Sequence, residues 1–459
     1  MGGERRRRYN DGMSLLVTAC RLRVVDLALR LPFRYGIATV TDLSHVFVEV
    51  DVIVAGQKVT GISAEHLSPK WLFKRPDTPP DHDNEELLES IRTTLERATG
   101  LAAPTPFALW QTLYAQQVVG PFPALWTHFP ITLVERAVID AFCRASGKPF
   151  HDLLRENAFG IDLGAVHPEL ARTQPSDWLP TTPRETLLLR HTVGMADPLT
   201  GSPIMGDGGG GDVLPRTLED NIHTYGLKHF KLKIGGDPAA DAARIREVLA
   251  LCEAHAPSDW AFTLDANESY PDFATLRLFW EQLPAASLRR CLFVEQPLHR
   301  DNALTAAADA GIAAWENHPP FLIDESDGAI GDFPRALELG YVGTSHKGCK
   351  GVFKGVANAC LAKKRGAVLS GEDLTCTGPI CLQQDLAVMA ALGIESVERN
   401  GHHYFAGLSM FDEATQKAVL AAHPDLYHTT AAGWPTLTIT EGMVALGSVN
   451  AAPFGTPLQ

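Results

Sequence analysis

The sequence predicts an α/β fold, a (β/α)₈-type barrel preceded by an α+β capping domain, and three observations carry that expectation. Charged residues recur just after short apolar runs, at Lys231 and Lys233, Asp265, Glu295, Asp324 and Lys347, with steps of 32, 30, 29 and 23 residues from Lys233 onward. That spacing is one strand plus one helix, and a charge after a buried run sits where a parallel strand emerges at its carboxyl end. Eight such runs alternate with helical patterns between residues 184 and 410. The first 157 residues read differently, as strands followed by helices.

Residues 1–14 are expected to be a flexible tail. Four arginines, Arg5 to Arg8, precede an apolar stretch that Arg21 and Arg23 break at once, so a frayed terminus is expected there rather than an export signal. The capping domain is assigned to residues 15–157. Two-residue alternation over 22–53 predicts an antiparallel hairpin or meander, with 34–43 as a polar loop. A proline- and aspartate-bearing stretch, 76–83, leads into a helix over 84–96 behind an Asn84 cap, and helices are expected over 107–116 and 131–146. Gly147-Lys-Pro ends the last of these.

Residues 158–183 are irregular and predict a connecting segment. Barrel strands are expected at 187–193, 230–234, 260–264, 291–294, 321–323, 342–345, 367–370 and 395–398, and helices at 238–253, 272–282, 304–310, 334–339, 352–364 and 380–392. The glycine run 206–212 lacks phosphate-loop spacing and reads as a loop insertion. Beyond residue 410 the chain is loop-rich, with a strand-like piece at Leu437 that is expected to return to the capping domain, which 411–459 would complete.

A chain of 459 residues exceeds what one core organises, which also favours two units. Its net charge of −14 is spread without a basic block and gives no reason to expect nucleic acid. No apolar run approaches the ~20 residues of a membrane helix. The eight cysteines fall at irregular intervals without a Cys-x-x-Cys pair, which reads as reduced thiols in a cytoplasmic protein.

Ring geometry places Asp265, Glu295 and Asp324 at the ends of strands three, four and five. Three convergent carboxylates repel unless a cation offsets them, and oxygen ligands select Mg²⁺, with Mn²⁺ next. Glu325 is the alternative to Asp324, since neighbours on a strand point opposite ways. Asn267 is placed to orient a ligand or a metal-bound water. Lys231 and Lys233 share one face of strand two and are expected to lower one another's pKa. Lys347 ends strand six, across the mouth. A small carboxylate bound to the metal would then present its α-carbon to a lysine on each side, one removing the proton through an enediolate and the other returning it. Lys350, Lys354, Lys363, Lys364, Asp327 and Glu316 read as solvated charges, and His346 is expected to point away from Lys347. His402 and His403 are placed to line the mouth or a polar loop.

These residues resemble the enolase superfamily, in its muconate lactonising enzyme-like branch with opposed lysines. Residues 29–34 resemble that family's capping hairpin, and 134–149 its helix before the barrel. The resemblance implies Lys233 and Lys347 as the acid/base pair with Lys231 assisting. It also implies Mg²⁺ on Asp265, Glu295 and Asp324, closure of the 34–43 loop over substrate, and a homo-oligomer. Strand eight reads Glu398-Arg399-Asn400 where dipeptide epimerases carry Asp-x-Asp, so Arg399 would suit an anionic group, and strand seven departs with Glu372-Asp373, where Glu372 is expected to meet substrate with Asn267 and Arg399. Racemisation or epimerisation is expected. Cycloisomerisation, acid-sugar dehydration, a Schiff-base lyase on Lys233 or Lys347, and a non-catalytic metal-bound scaffold are the alternatives.

Overall fold

A computed structural model describes residues 15–116, 120–201 and 213–459; the tail 1–14 and the glycine run 206–212 lie outside the described residues. The early alternation forms a three-stranded antiparallel meander, Leu15–Tyr35, Ala38–Val54 and Gln57–His66. Val46, Val48, Val50 and Val52 are fully buried, and the sheet packs on the helix Ala124–Ser146. Gly61 permits that contact, because a Cβ there would stand 2.0 Å from the Ala137 carbonyl oxygen.

Several expectations are corrected here. Residues 34–43 are no loop: the ladder runs to Tyr35↔Ala38, and Gly36, with φ +47°, turns the chain. The third strand was not expected, because its first half is polar and exposed. The helix assigned to 84–96 spans Pro80–Ala98, with Pro79 rather than Asn84 at its N-cap, since proline fits a first helical turn. Helix Ala124–Ser146 starts seven residues earlier than expected and contains Pro130, and Gly147 ends it in the left-handed conformation. Residues 158–183 hold three short turns, Leu163–Val166, Pro168–Leu170 and Pro175–Asp177, pinned by buried Phe159, Leu163 and Leu170.

The eight expected barrel strands are all present, each within a residue of its apolar run: Thr186–Val193, His229–Lys233, Ala261–Asp265, Cys291–Glu295, Phe321–Ile323, Gly343–His346, Val368–Gly371 and Ser396–Arg399. All neighbouring pairs are parallel, and Glu398↔Arg190 closes strand eight onto strand one. The late strand-like piece pairs not with the meander but with Tyr427–Thr429, and Met443–Ala445 then pairs antiparallel with the start of barrel strand one. The last residues still touch the cap, where Arg144 donates to the carbonyls of Thr456, Pro457 and Leu458. All eight cysteines are free thiols, and among the described residues no helix is long and apolar enough to cross a membrane.

Candidate active site at the barrel mouth

In-register pairing of strands two, three and four sets Lys233 beside Asp265 and Asp265 beside Glu295 at the carboxyl end of the barrel. Lys231, one pleat deeper, is completely buried. Its Nζ lies 2.6 Å from Glu372 Oε2, 2.8 Å from Glu398 Oε2, 2.9 Å from Glu295 Oε2 and 3.0 Å from Asp265 Oδ2. Burial opposes its charge, but Asp265, Glu295, Glu372 and Glu398 outweigh burial and hold its pKa well above the lysine range. The expected mutual lowering of Lys231 and Lys233 is therefore corrected for Lys231: the carboxylates around it decide its ionisation.

Lys233 Nζ contacts Asp265 Oδ2 at 2.5 Å and Asn267 Oδ1 at 3.0 Å, beneath the Tyr35 ring. Lys347 Nζ contacts Asp324 Oδ2 at 3.0 Å and Glu372 Oε2 at 3.2 Å, and lies 4.9 Å from the Trp71 ring centroid. Burial opposes its charge too, and Asp324 with Glu372 raises its pKa well above the ordinary value. Lys233, Lys347, Asn267, Tyr35, Trp71 and Phe33 line one cavity of about 30 Å³. Three of these, Phe33, Tyr35 and Trp71, come from the cap: the hairpin tip is held down by Met195 N–H donating to Arg34 O at 3.1 Å, and a Cβ at Gly36 would stand 3.3 Å from Asn267 Cβ.

The expected metal trio is partly rearranged. The carboxylates whose oxygens lie within 4.8 Å of one another are Glu295, Asp324 and Glu372. Asp265 stands next to this group with its oxygens taken, Oδ1 by the Asn267 N–H at 2.9 Å and Oδ2 by Lys231 and Lys233. Glu372, expected to meet substrate, belongs instead to the acidic cluster. Glu295 Oε2 and Asp324 Oδ2 are buried and accept no hydrogen bond, having only ionic contact with lysine. Burial, reinforced by Asp265 and Glu372, pushes the Glu295 pKa well up. An all-oxygen set with spare buried lone pairs fits Mg²⁺ or Mn²⁺.

Strand five ends at Ile323, so the alternation that was to turn either Asp324 or Glu325 outward no longer applies. Both are buried: Asp324 joins the cluster, while Glu325 accepts from Asn267 Nδ2 at 2.9 Å and burial, then Asp324, pushes its pKa up to about 8. Arg399 does not serve an anionic substrate group here. It turns behind the mouth, with Nη1 2.7 Å from Asp373 Oδ2 and 3.3 Å from Asp385 Oδ2. Lys350, Lys354 and Asp327, read as solvated, are buried: Lys350 Nζ lies 2.7 Å from Asp324 Oδ1 and Lys354 Nζ 3.0 Å from Asp327 Oδ1. His402 and His403 pack behind strand one, against His191 and Asn221.

Sequence reasoning passed over Glu398 as a site residue, although it ends strand eight as the others end theirs. Trp71 gave no such signal, and Tyr35 was placed over the mouth only by the resemblance, which implied closure of residues 34–43 over substrate.

Residues 214–434 match the family described as enolase C-terminal domain-like. A mandelate racemase/muconate lactonizing protein from Herpetosiphon aurantiacus is 18% identical with a TM-score of 0.64, over 97% of this chain and 99% of that one. A dipeptide epimerase from Enterococcus faecalis is 15% identical with a TM-score of 0.61, over 96% and 99%. A muconate lactonizing enzyme from Pseudomonas fluorescens is 17% identical with a TM-score of 0.62, over 97% of both. No curated protein matches the sequence. The barrel segment thus matches the enolase C-terminal domain-like family, and the chain shares its cap-over-barrel fold along nearly its whole length with mandelate racemase/muconate lactonizing proteins of solved structure.

Proposed function

We propose that the protein is an isomerase of the racemase or epimerase kind, abstracting the proton α to a carboxylate of a small molecule. One observation carries this reading: Lys233 and Lys347, from strands two and six, open on opposite sides of the same cavity. A substrate held between them has one amine on each face of its α-carbon, which is what inversion at carbon requires. Of two lysines in opposite protonation states, one takes the proton while the other gives it back.

Mg²⁺ held by Glu295, Asp324 and Glu372, with Asp265 beside them, would supply the positive charge that binds the substrate carboxylate and offsets the charge developing on proton loss. The protein's own part is positional. Asp265 and Asn267 aim Lys233, while Asp324, Glu372 and the Trp71 ring aim Lys347. Tyr35 and Phe33 close the roof and exclude water. Because Asp373 and Asp385 occupy Arg399, the distal part of the substrate meets aromatic side chains and the carboxylates of Asp373 and Glu398 rather than a free cation from strand eight. The dipeptide epimerase of similar fold was complexed with Mg and L-Leu-L-Tyr, and an N-succinyl Arg/Lys racemase from Bacillus cereus shares the fold at 15% identity; both belong to the proposed reaction type.

The test is a panel of carboxylic acids, dipeptides and N-acyl amino acids incubated with the protein and Mg²⁺ in heavy water. Deuterium at the α-carbon with loss of optical activity supports the proposal. Deuterium with a new double bond or a ring selects the dehydratase or cycloisomerase reading of the same site. Turnover with neither, or chelator-insensitive trapping of a substrate by borohydride, overturns it in favour of a Schiff-base lyase.

A further inference from the structure

Far from the mouth, two helices bring a carboxylate and two imidazoles together. The helix Leu218–Tyr225 carries Glu219 and His223 at the i, i+4 spacing that stacks side chains on one face. The helix Pro238–His255 packs beside it and ends with His255. One ligand atom from each of the three residues lies within 4.8 Å of the others. His255 Nε2 is 3.6 Å from Glu219 Oε1, and the two imidazole rings are 5.0 Å apart at 81°. Glu219 and His255 are partly exposed and His223 is exposed, so an ion can reach them from solvent. Barrel strand two begins at His229, four residues after the first helix ends, and runs away from this point to Lys233. The cluster therefore lies at the closed end of the barrel.

We propose that Glu219, His223 and His255 form a second metal site, for a zinc-class ion. The donor chemistry separates it from the mouth: two imidazoles and one carboxylate suit Zn²⁺, Cu²⁺ or Ni²⁺, whereas an all-carboxylate cluster suits Mg²⁺. Bonds of about 2.0–2.2 Å put the donors of a tetrahedral zinc site roughly 3.3 Å apart. Small rotations of an exposed His223 and a half-exposed Glu219 close the present gap. Both histidines also stand in the last turns of their helices, where the aligned peptide dipoles favour positive charge. A bound ion clasps the two helices that flank the approach to strand two, with water filling the remaining coordination.

The test counts metal rather than turnover, so its failure and that of the proposed reaction are distinguishable. Chelator-stripped protein is re-equilibrated with saturating Mg²⁺ and titrated with Zn²⁺, alongside His223→Ala and His255→Ala. The expected result is one more tight equivalent of zinc in the wild type than in either variant, with affinity at this site falling more than about tenfold, since even outer-shell partners of a metal are worth that much. Cu²⁺ used as a probe is expected to show nitrogen hyperfine structure from two imidazoles in the wild type and fewer in each variant. Equal zinc stoichiometry and identical copper spectra in all three proteins overturn the proposal. Because His223 is exposed, His223→Ala is expected to fold and to keep its Mg²⁺-dependent proton exchange.

Discussion

At the scale of single residues the proposed chemistry rests on the division of labour between Lys233 and Lys347. Removing one lysine leaves the other with its face of the substrate. Lys347→Ala and Lys233→Ala should each lower interconversion of enantiomers by about 10²–10⁴-fold, while exchange of the α-proton persists for one enantiomer only, a different one in each variant. Chiral chromatography with mass detection in heavy water reads both quantities, and equal loss of exchange for both enantiomers would argue against two separate bases. A second residue makes a pH prediction. Glu135 is buried on the long cap helix, its Oε1 accepts from the Phe353 N–H at 2.6 Å, and burial pushes its pKa up to about 7. An unfolded glutamate titrates near about 4.3, so between these values the folded state binds more protons and stability falls as pH rises. Glu135→Gln keeps an acceptor without the charge. Its stability relative to wild type should grow from pH 4.5 to 7, by on the order of 3 kcal/mol, and then level off, as measured by urea unfolding across pH. The ends of strands were readable from sequence because an apolar run followed by a charge marks them. Which partner each charge meets was not: Arg399 is taken by Asp385 from the preceding helix, and Lys350 reaches back to Asp324.

Among the elements, the barrel strands were legible to within a residue because parallel strands buried on both faces form unbroken apolar runs. The third strand of the cap was less so, since Gln57, Lys58 and Thr60 resemble a loop until the neighbouring strand pairs with them. Its position is set by one glycine. Gly61 faces the Ala137 carbonyl and the Ala141 side chain, so Gly61→Ala must push strand and helix apart. A loss of about 1–3 kcal/mol is expected from such overpacking, read as a lower urea midpoint with an unchanged slope. An unaltered midpoint would mean that the sheet and the helix separate at little cost.

For the molecule as a whole, the proposed chemistry would tie stability as well as activity to a divalent ion in the acidic cluster. Asp265, Glu295, Asp324 and Glu372 are wholly buried, so a divalent ion that binds only the folded state should raise the melting temperature in proportion to its saturation. Stripping with chelator is expected to abolish exchange and lower the melting temperature by several degrees, both restored by Mg²⁺; a chelated protein of unchanged activity would contradict the proposed chemistry. Apart from the resemblance, nothing along the chain says that the cap covers the mouth, because Tyr35 and Trp71 lie more than 160 residues before Lys233 and Lys347, their partners across the cavity. The hairpin that carries Tyr35 is irregular in one place: the ladder jumps from Ala28↔Asp42 to Phe33↔Val40, so residues 29–32 stand opposite Thr41 alone. Arg30, inside that bulge, is fastened to the carbonyls of Leu214, Pro215 and His403. Beyond this anchored elbow only a short flap remains, and a chamber of about 30 Å³ admits little more than one water while the flap is shut. Entry of any reactant thus demands that the flap swing on the elbow, leaving the rest of the cap docked.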